Sequence, residues 1–354
     1  MANRPGFSHT VRCVLVAGSI LLSGPVMAAA PDAAARYEII HRWKLPGAGG
    51  WDYVTFDAPL HRLFITRGDR VEVLDAATGK PIGQVAPNSG VHGVALAADL
   101  GRGYASNGRG NSITEFDYRT LKVLREVPDP GSDPDAILYE PTHHRLYAFN
   151  GHSKDATVYD AGSMAVIARI PLPGGPEFAV DGGDGRVYVN IENDRGQLVV
   201  IEAATGSVVA TWALEGCESP TGLAIDATRH RLFSVCANQV MAVTDSTTGR
   251  AVARVPIGLH PDAAAYDARH GLAFSSNGAG TLTIVRADEA SRYPVAATLA
   301  TQPGARTMAL DPESGRLYLV TADFGPTPPA TSENPRPRPQ PVADTFTVLV
   351  VAPR

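Results

Sequence analysis

Seven residues hold one recurring position in this chain: Asp52, His92, Asp135, Glu177, Thr221, Asp262 and Arg306. Each stands five residues before an anchor that ends an apolar run, except Glu177, which stands four before because Pro176 takes the fifth place. Six of the seven can carry charge, whereas the positions that follow are largely Val, Leu, Ile and Ala. If the units close into a ring, four carboxylates, one imidazole and one guanidinium converge on one opening. Carboxylates forced together raise one another's pKa or recruit a cation. Arg306 follows Asp262 in unit order and precedes Asp52 across the closure, so it can neutralise both. Asp52, His92, Asp135 and Glu177 form an arc with no basic residue unless His92 takes a proton. Oxygen donors with one imidazole suit a divalent cation, Ca²⁺ or Mg²⁺ before Mn²⁺ or Zn²⁺. The competing reading is a solvated rim of strand ends with no ligand at all. No nucleophile elbow, phosphate-binding glycine loop or haem motif is present.

The elements that must position these residues are short strands. Arg62, Arg102, Arg145, Arg186, Arg231 and Arg316 each open a run such as R-L-Y-A-F, and G-L-A-F-S from Gly271 is the seventh copy. Apolar runs before and after each copy, bounded by Gly, Asp or Asn, make four antiparallel strands per unit. A lone four-stranded sheet exposes two apolar faces, so copies must stack. The sequence therefore predicts an all-β, seven-bladed propeller. Asp57, Glu140, Asp181, Asp226, Asp267 and Asp311 are the acidic anchors of the first strands, with Ala97 in the second unit. Turns of the type A-x-T-G end at Gly79, Gly206 and Gly249, where glycine takes positive φ without strain. Asn107, Asn150, Asn190, Asn238 and Asn277, near the ends of second strands, read as turn residues. His152 reads as a solvated loop residue, and His143-His144 falls on the opposite face.

The last unit lacks a fourth strand, and Tyr37–Leu45 is the one unassigned strand-like run, so it should close the ring. A proline-rich loop over 323–344 separates the last unit's second and third strands and is long enough to serve as a lid or binding loop.

Arg4 and Arg12, an apolar run from Val14 to Val26 and small residues around Ala28 follow the secretory pattern. Residues 1–28 are expected to be a signal peptide and 29–354 a single propeller domain, placed in the periplasm or outside the cell. Loss of two arginines takes the net charge from −5 to −7. No basic stripe invites nucleic acid, and no stretch of the mature chain is apolar enough to span a membrane. Cys217 enters the first strand of the fifth unit and Cys236 ends its second. Antiparallel neighbours bring them together, so a disulfide is expected, in keeping with export.

With seven units built on the R-L-Y/F strand, the D-A-x-T-G turn (Asp75 to Gly79) and starts such as His260-Pro261-Asp262, the chain resembles the YVTN-type propeller repeat family of YncE-like exported bacterial proteins. The tetrapeptide itself is not intact; Val187-Tyr-Val-Asn190 comes nearest. The resemblance implies a seven-bladed propeller outside the cytoplasm and no single activity. The expected function is binding or scaffolding by a monomer, of a small polar or cationic ligand at the charged mouth or of a protein partner. The alternative is a metal-assisted hydrolase or lactonase using a divalent cation held by the same carboxylates.

Overall fold

Apolar runs of five to seven residues between turn signals, rich in Val, Ile, Tyr and Phe, are too short for helices and suit strands buried on both faces. In the computed structural model these runs become seven four-stranded antiparallel sheets. It describes residues 1–2, 36–287, 292–331, 335 and 337–354. The expected signal peptide, apart from residues 1–2, lies outside the described residues. The propeller occupies the unit Pro31–Arg354. No helix among the described residues is long and apolar enough to cross a membrane.

The fourth blade sets the pattern, with strands Gly175–Asp181, Arg186–Glu192, Gln197–Glu202 and Ser207–Ala213 in that spatial order. First strands touch their neighbours all the way round, including the first and last blades, so they form the inner wall. Outer strands carry the exposed apolar side chains, such as Val208 and Val209. The seams between blades are the hydrophobic core: Tyr147, Val189 and Val199 fill one, and Leu63, Tyr318 and Val348 another.

The ring closes as expected. Tyr37–Leu45 pairs antiparallel with Phe346–Pro353, from Tyr37 opposite Pro353 to Leu45 opposite Phe346. Tyr37 packs into the seam with the sixth blade and Leu45 into the seam with the first. The proline-rich loop does join second and third strands of this blade. Its neck is a short ladder, with Gly325 N–H donating to Gln340 at 2.9 Å and Val342 N–H to Asp323 at 2.8 Å.

The repeated motifs have local jobs. The anchor acids Asp267 and Asp311 accept backbone N–H groups of the following turn, at 2.9 Å from Arg269 and 3.0 Å from Glu313. Asp57 instead takes Arg62 at 2.9 Å and the Tyr118 hydroxyl at 2.5 Å. In the A-x-T-G turn, Asp75 accepts both the N–H and the hydroxyl of Thr78. The strand tyrosine reaches across the seam to a carbonyl of the next blade: Tyr147 to Ala203 at 3.2 Å, Tyr188 to Ser246 at 3.0 Å, and Tyr318 to Ala76 at 2.9 Å over the closure. Cys217 and Cys236 are joined in a disulfide, both buried. A cross-link enclosing a loop of this size contributes about 3 kcal/mol.

Candidate functional site

The mouth residues sit where first-strand pairing breaks. Register between first and second strands slips from Val91 to Val94, Pro134 to Ile137, Pro176 to Ala179, Pro220 to Leu223 and Pro261 to Ala263. His92, Asp135, Glu177, Thr221 and Asp262 lie inside these slips. A bulge re-aims side chains that a regular strand would alternate, and here it releases them from the blade. Asp52 and Arg306 fall just before the first strands of their own blades, Val54–Asp57 and Thr307–Leu310.

The structure brings six of the seven around one cup of about 350 Å³: Asp52, Asp135, Glu177, Thr221, Asp262 and Arg306. His92 lines a wider adjoining hollow of about 680 Å³, which shares Asp52 and Arg306 with the cup. Tyr53 of the first blade and Phe178 of the fourth meet across the channel, ring centroids 5.7 Å apart and nearly parallel, and both line the cup.

Charge is unevenly matched. Arg306 Nε lies 3.4 Å from Asp262 Oδ2. That carboxylate and its neighbours hold the Arg306 guanidinium firmly charged. His92 Nδ1 lies 2.6 Å from Asp52 Oδ2 and 3.6 Å from Asp135 Oδ1. Burial opposes the charge on His92, but the Asp52 hydrogen bond and the nearby Asp135 and Asp133 outweigh it and lift its pKa to about 9. The arc is therefore not wholly without positive charge: His92 supplies it.

Three acids remain under-neutralised. Burial, then Asp52, pushes Asp135 up to about 7. Burial, then Asp135 and Glu192, pushes Glu177 up to about 10. Asp262 rises only to about 6, because Arg306 opposes its burial. Asp135 Oδ1 and Thr221 Oγ1 are shut off from solvent without a hydrogen-bond partner.

Of the four expected metal ligands, Asp52, His92 and Asp135 place donor atoms within 4.8 Å of one another, and Glu177 lies outside that close group. Asn107, Asn150, Asn190 and Asn277 are fully buried and hydrogen-bonded within the fold, as turn and strand-end residues should be. His143 caps Glu140 at 3.0 Å, away from the mouth.

Sequence reasoning missed Tyr53, Phe178, Glu192 and Asp133. Glu192 reaches the cup because the fourth blade's second strand runs to it and pairs with Gly175. An acid two residues beyond Asn190 was the available signal. Tyr53 and Phe178 adjoin Asp52 and Glu177, but nothing in the sequence says that their rings meet.

Fold and site together define a seven-bladed β-propeller with an acidic cup, lined in part by two aromatic rings, at its channel mouth. No protein-family model and no curated protein matches the sequence. Among solved structures, a chain of "Kuenenia stuttgartiensis Hydrazine Synthase" is similar with a TM-score of 0.69 at 18% identity, over 77% of this chain and 92% of that one. A chain of the "Crystal Structure of Mitotic Checkpoint Complex" is similar with a TM-score of 0.73 at 13% identity, over 96% of this chain and 99% of that one. Likeness at such identities is a likeness of fold.

Proposed function

We propose that this chain is an exported binding protein of the YVTN-repeat type whose cup holds a small cationic ligand. One observation carries the reading: five carboxylates, of Asp52, Asp135, Glu177, Glu192 and Asp262, line a single cup whose one guanidinium among the described lining residues, that of Arg306, is already turned to Asp262. A bound cation supplies the charge that the raised acids lack, and the Tyr53 and Phe178 faces favour an organic ammonium by cation–π attraction. Export is supported by the leader-like first residues and by the buried disulfide, which fits an oxidising compartment.

The hydrolase reading draws its support from Asp52, His92 and Asp135, whose donor atoms cluster closely enough to hold a divalent ion. Such an ion would act there as a Lewis acid or activate a water.

The test is thermal shift of wild type and the Asp135→Asn/Glu177→Gln double variant, against small amines, divalent cations and sugar acids. Ligand-linked stabilisation follows RT ln(1 + [L]/Kd). Amines or divalent cations should raise the wild-type Tm, and the double variant should lose that shift. Equal responses of both proteins to every active compound would leave the cup a solvated rim.

A further inference from the structure

Beside the acidic cup lies a hollow with the opposite balance of charge. Arg109, Arg306, His92 and His152 line it against Asp52 and Asp133, whereas the cup brings five carboxylates to the guanidinium of Arg306. The two spaces share Asp52 and Arg306, so one small molecule can touch both. Taking the cup as the cation site just proposed, we infer that the cation is one end of a short zwitterion, an amino acid or a betaine, whose carboxylate rests in the hollow on His92, Arg109 and Arg306.

His92 is the partition between the two spaces. Its Nδ1 faces acids of the cup, 2.6 Å from Asp52 Oδ2 and 3.6 Å from Asp135 Oδ1. Its Nε2 faces the hollow, where Asp133 Oδ1 stands 3.9 Å away, beyond hydrogen-bond reach. With three carboxylates around it the ring is charged at neutral pH. Nε2 therefore carries a proton that no described residue accepts, and a carboxylate oxygen entering the hollow accepts it. Only the width of the imidazole separates an ammonium on Asp135 from a carboxylate on Nε2. That short span suits α-amino acids and betaines better than longer chains.

Glycine shapes the hollow and arginine arms it. Gly108 keeps the space before Nε2 open: a Cβ there would stand 2.6 Å from that nitrogen and 2.4 Å from Asp133 Oδ1. Gly90, at φ of 66°, lets Arg109 fold against the wall; a Cβ on it would stand 2.7 Å from Arg109 Cβ and 3.3 Å from its Nε. Arg109 makes no ion pair among the described residues, and a planar guanidinium is the side chain best matched to a carboxylate. Asp133 opposes an anion here, but its Oδ2 is turned toward His152 Nε2 at 3.5 Å.

The test is calorimetric titration with four matched pairs, each a zwitterion and an amine without its carboxylate: phenylalanine and phenethylamine, arginine and agmatine, lysine and cadaverine, glycine betaine and choline. In at least one pair the zwitterion should bind about tenfold tighter or more, the effect of a charge-assisted contact. Arg109→Ala should keep the wild-type Tm, since its side chain is exposed, and cut the zwitterion's affinity about tenfold. Gly108→Ala, which sets a methyl against Nε2, should cut it as far, and in both variants the preference for the zwitterion should disappear. The Asp135→Asn/Glu177→Gln variant should lose both members of the pair. Amines that bind at least as well as their zwitterions in every pair, and that the double variant loses, would overturn the zwitterion and leave the cup a cation site. A preference that survives both Arg109→Ala and Gly108→Ala would take the carboxylate out of the hollow. Failure of every probe to bind, or equal binding by the double variant, would overturn the cup and the zwitterion with it.

Discussion

Glu177, Asp135, Asp262 and His92 all titrate above their ordinary values, and the sign of that shift governs how the molecule responds to pH. A group whose folded pKa is raised contributes stability that is fully present below its unfolded value and lost as pH rises through the folded value. The carboxyls start from 3.8 or 4.5 and rise to about 6 for Asp262, about 7 for Asp135 and about 10 for Glu177. His92 starts from 6.5 and rises to about 9. All four therefore act in one direction, and the Tm of ligand-free protein should fall as pH rises from about 4 to about 10. Glu177→Gln should match wild type near pH 4 and melt above it at pH 9, because the amide has no proton to lose. Superimposable melting curves across that range would show that Glu177 feels no such burial. The residue types at the mouth were legible in the sequence, because the repeat put them in register. Their environments were not: the bulges that free them, the Tyr53–Phe178 contact and the approach of Asp133 to His92 depend on backbone geometry and on blades far apart in the chain.

At the scale of the element, the fold was readable because each blade repeats a strand pattern bounded by turn chemistry. The reason for the tyrosine in that pattern was not readable, since its partner lies in the next blade. Tyr147, Tyr188 and Tyr318 each donate across a seam to a backbone carbonyl that their own sheet leaves unpaired. Tyr318→Phe keeps the buried ring but removes the donor to Ala76 at the closure. A net loss of about 1 kcal/mol follows for the hydrogen bond, read as a lower denaturant midpoint with unchanged slope. An unchanged midpoint would mean that the seam is held by apolar contact alone. Glycine enters the same seams differently. Gly79 has φ of 70°, and a Cβ there would stand 2.2 Å from the Trp43 ring, so this turn seats the indole of the closing strand.

For the whole molecule, closure rests on eight paired positions between Tyr37–Leu45 and Phe346–Pro353, together with an ion pair from Arg354 to Glu38 at 2.5 Å. Deleting residues 37–45 would leave Phe346–Pro353 as an open edge and strip Tyr37 and Leu45 from two seams. Exposed apolar edges pair with other chains, so the truncated protein should aggregate or melt well below wild type; a truncated protein with wild-type Tm would assign closure elsewhere. The same pairing imposes an order in time. Six blades are local, each built within a few tens of residues, and can form as their own segments become available. The seventh joins segments about 300 residues apart, and bringing such distant ends together costs about 5 kcal/mol of chain entropy. That cost is easiest to meet after the other blades have folded and drawn the ends near. Of the described strands, Tyr37–Leu45 is made first and is thus the last to find its partner; it waits unpaired until Phe346–Pro353 follows, so the interval before docking is when the chain is most open to capture by chaperones or by its own copies.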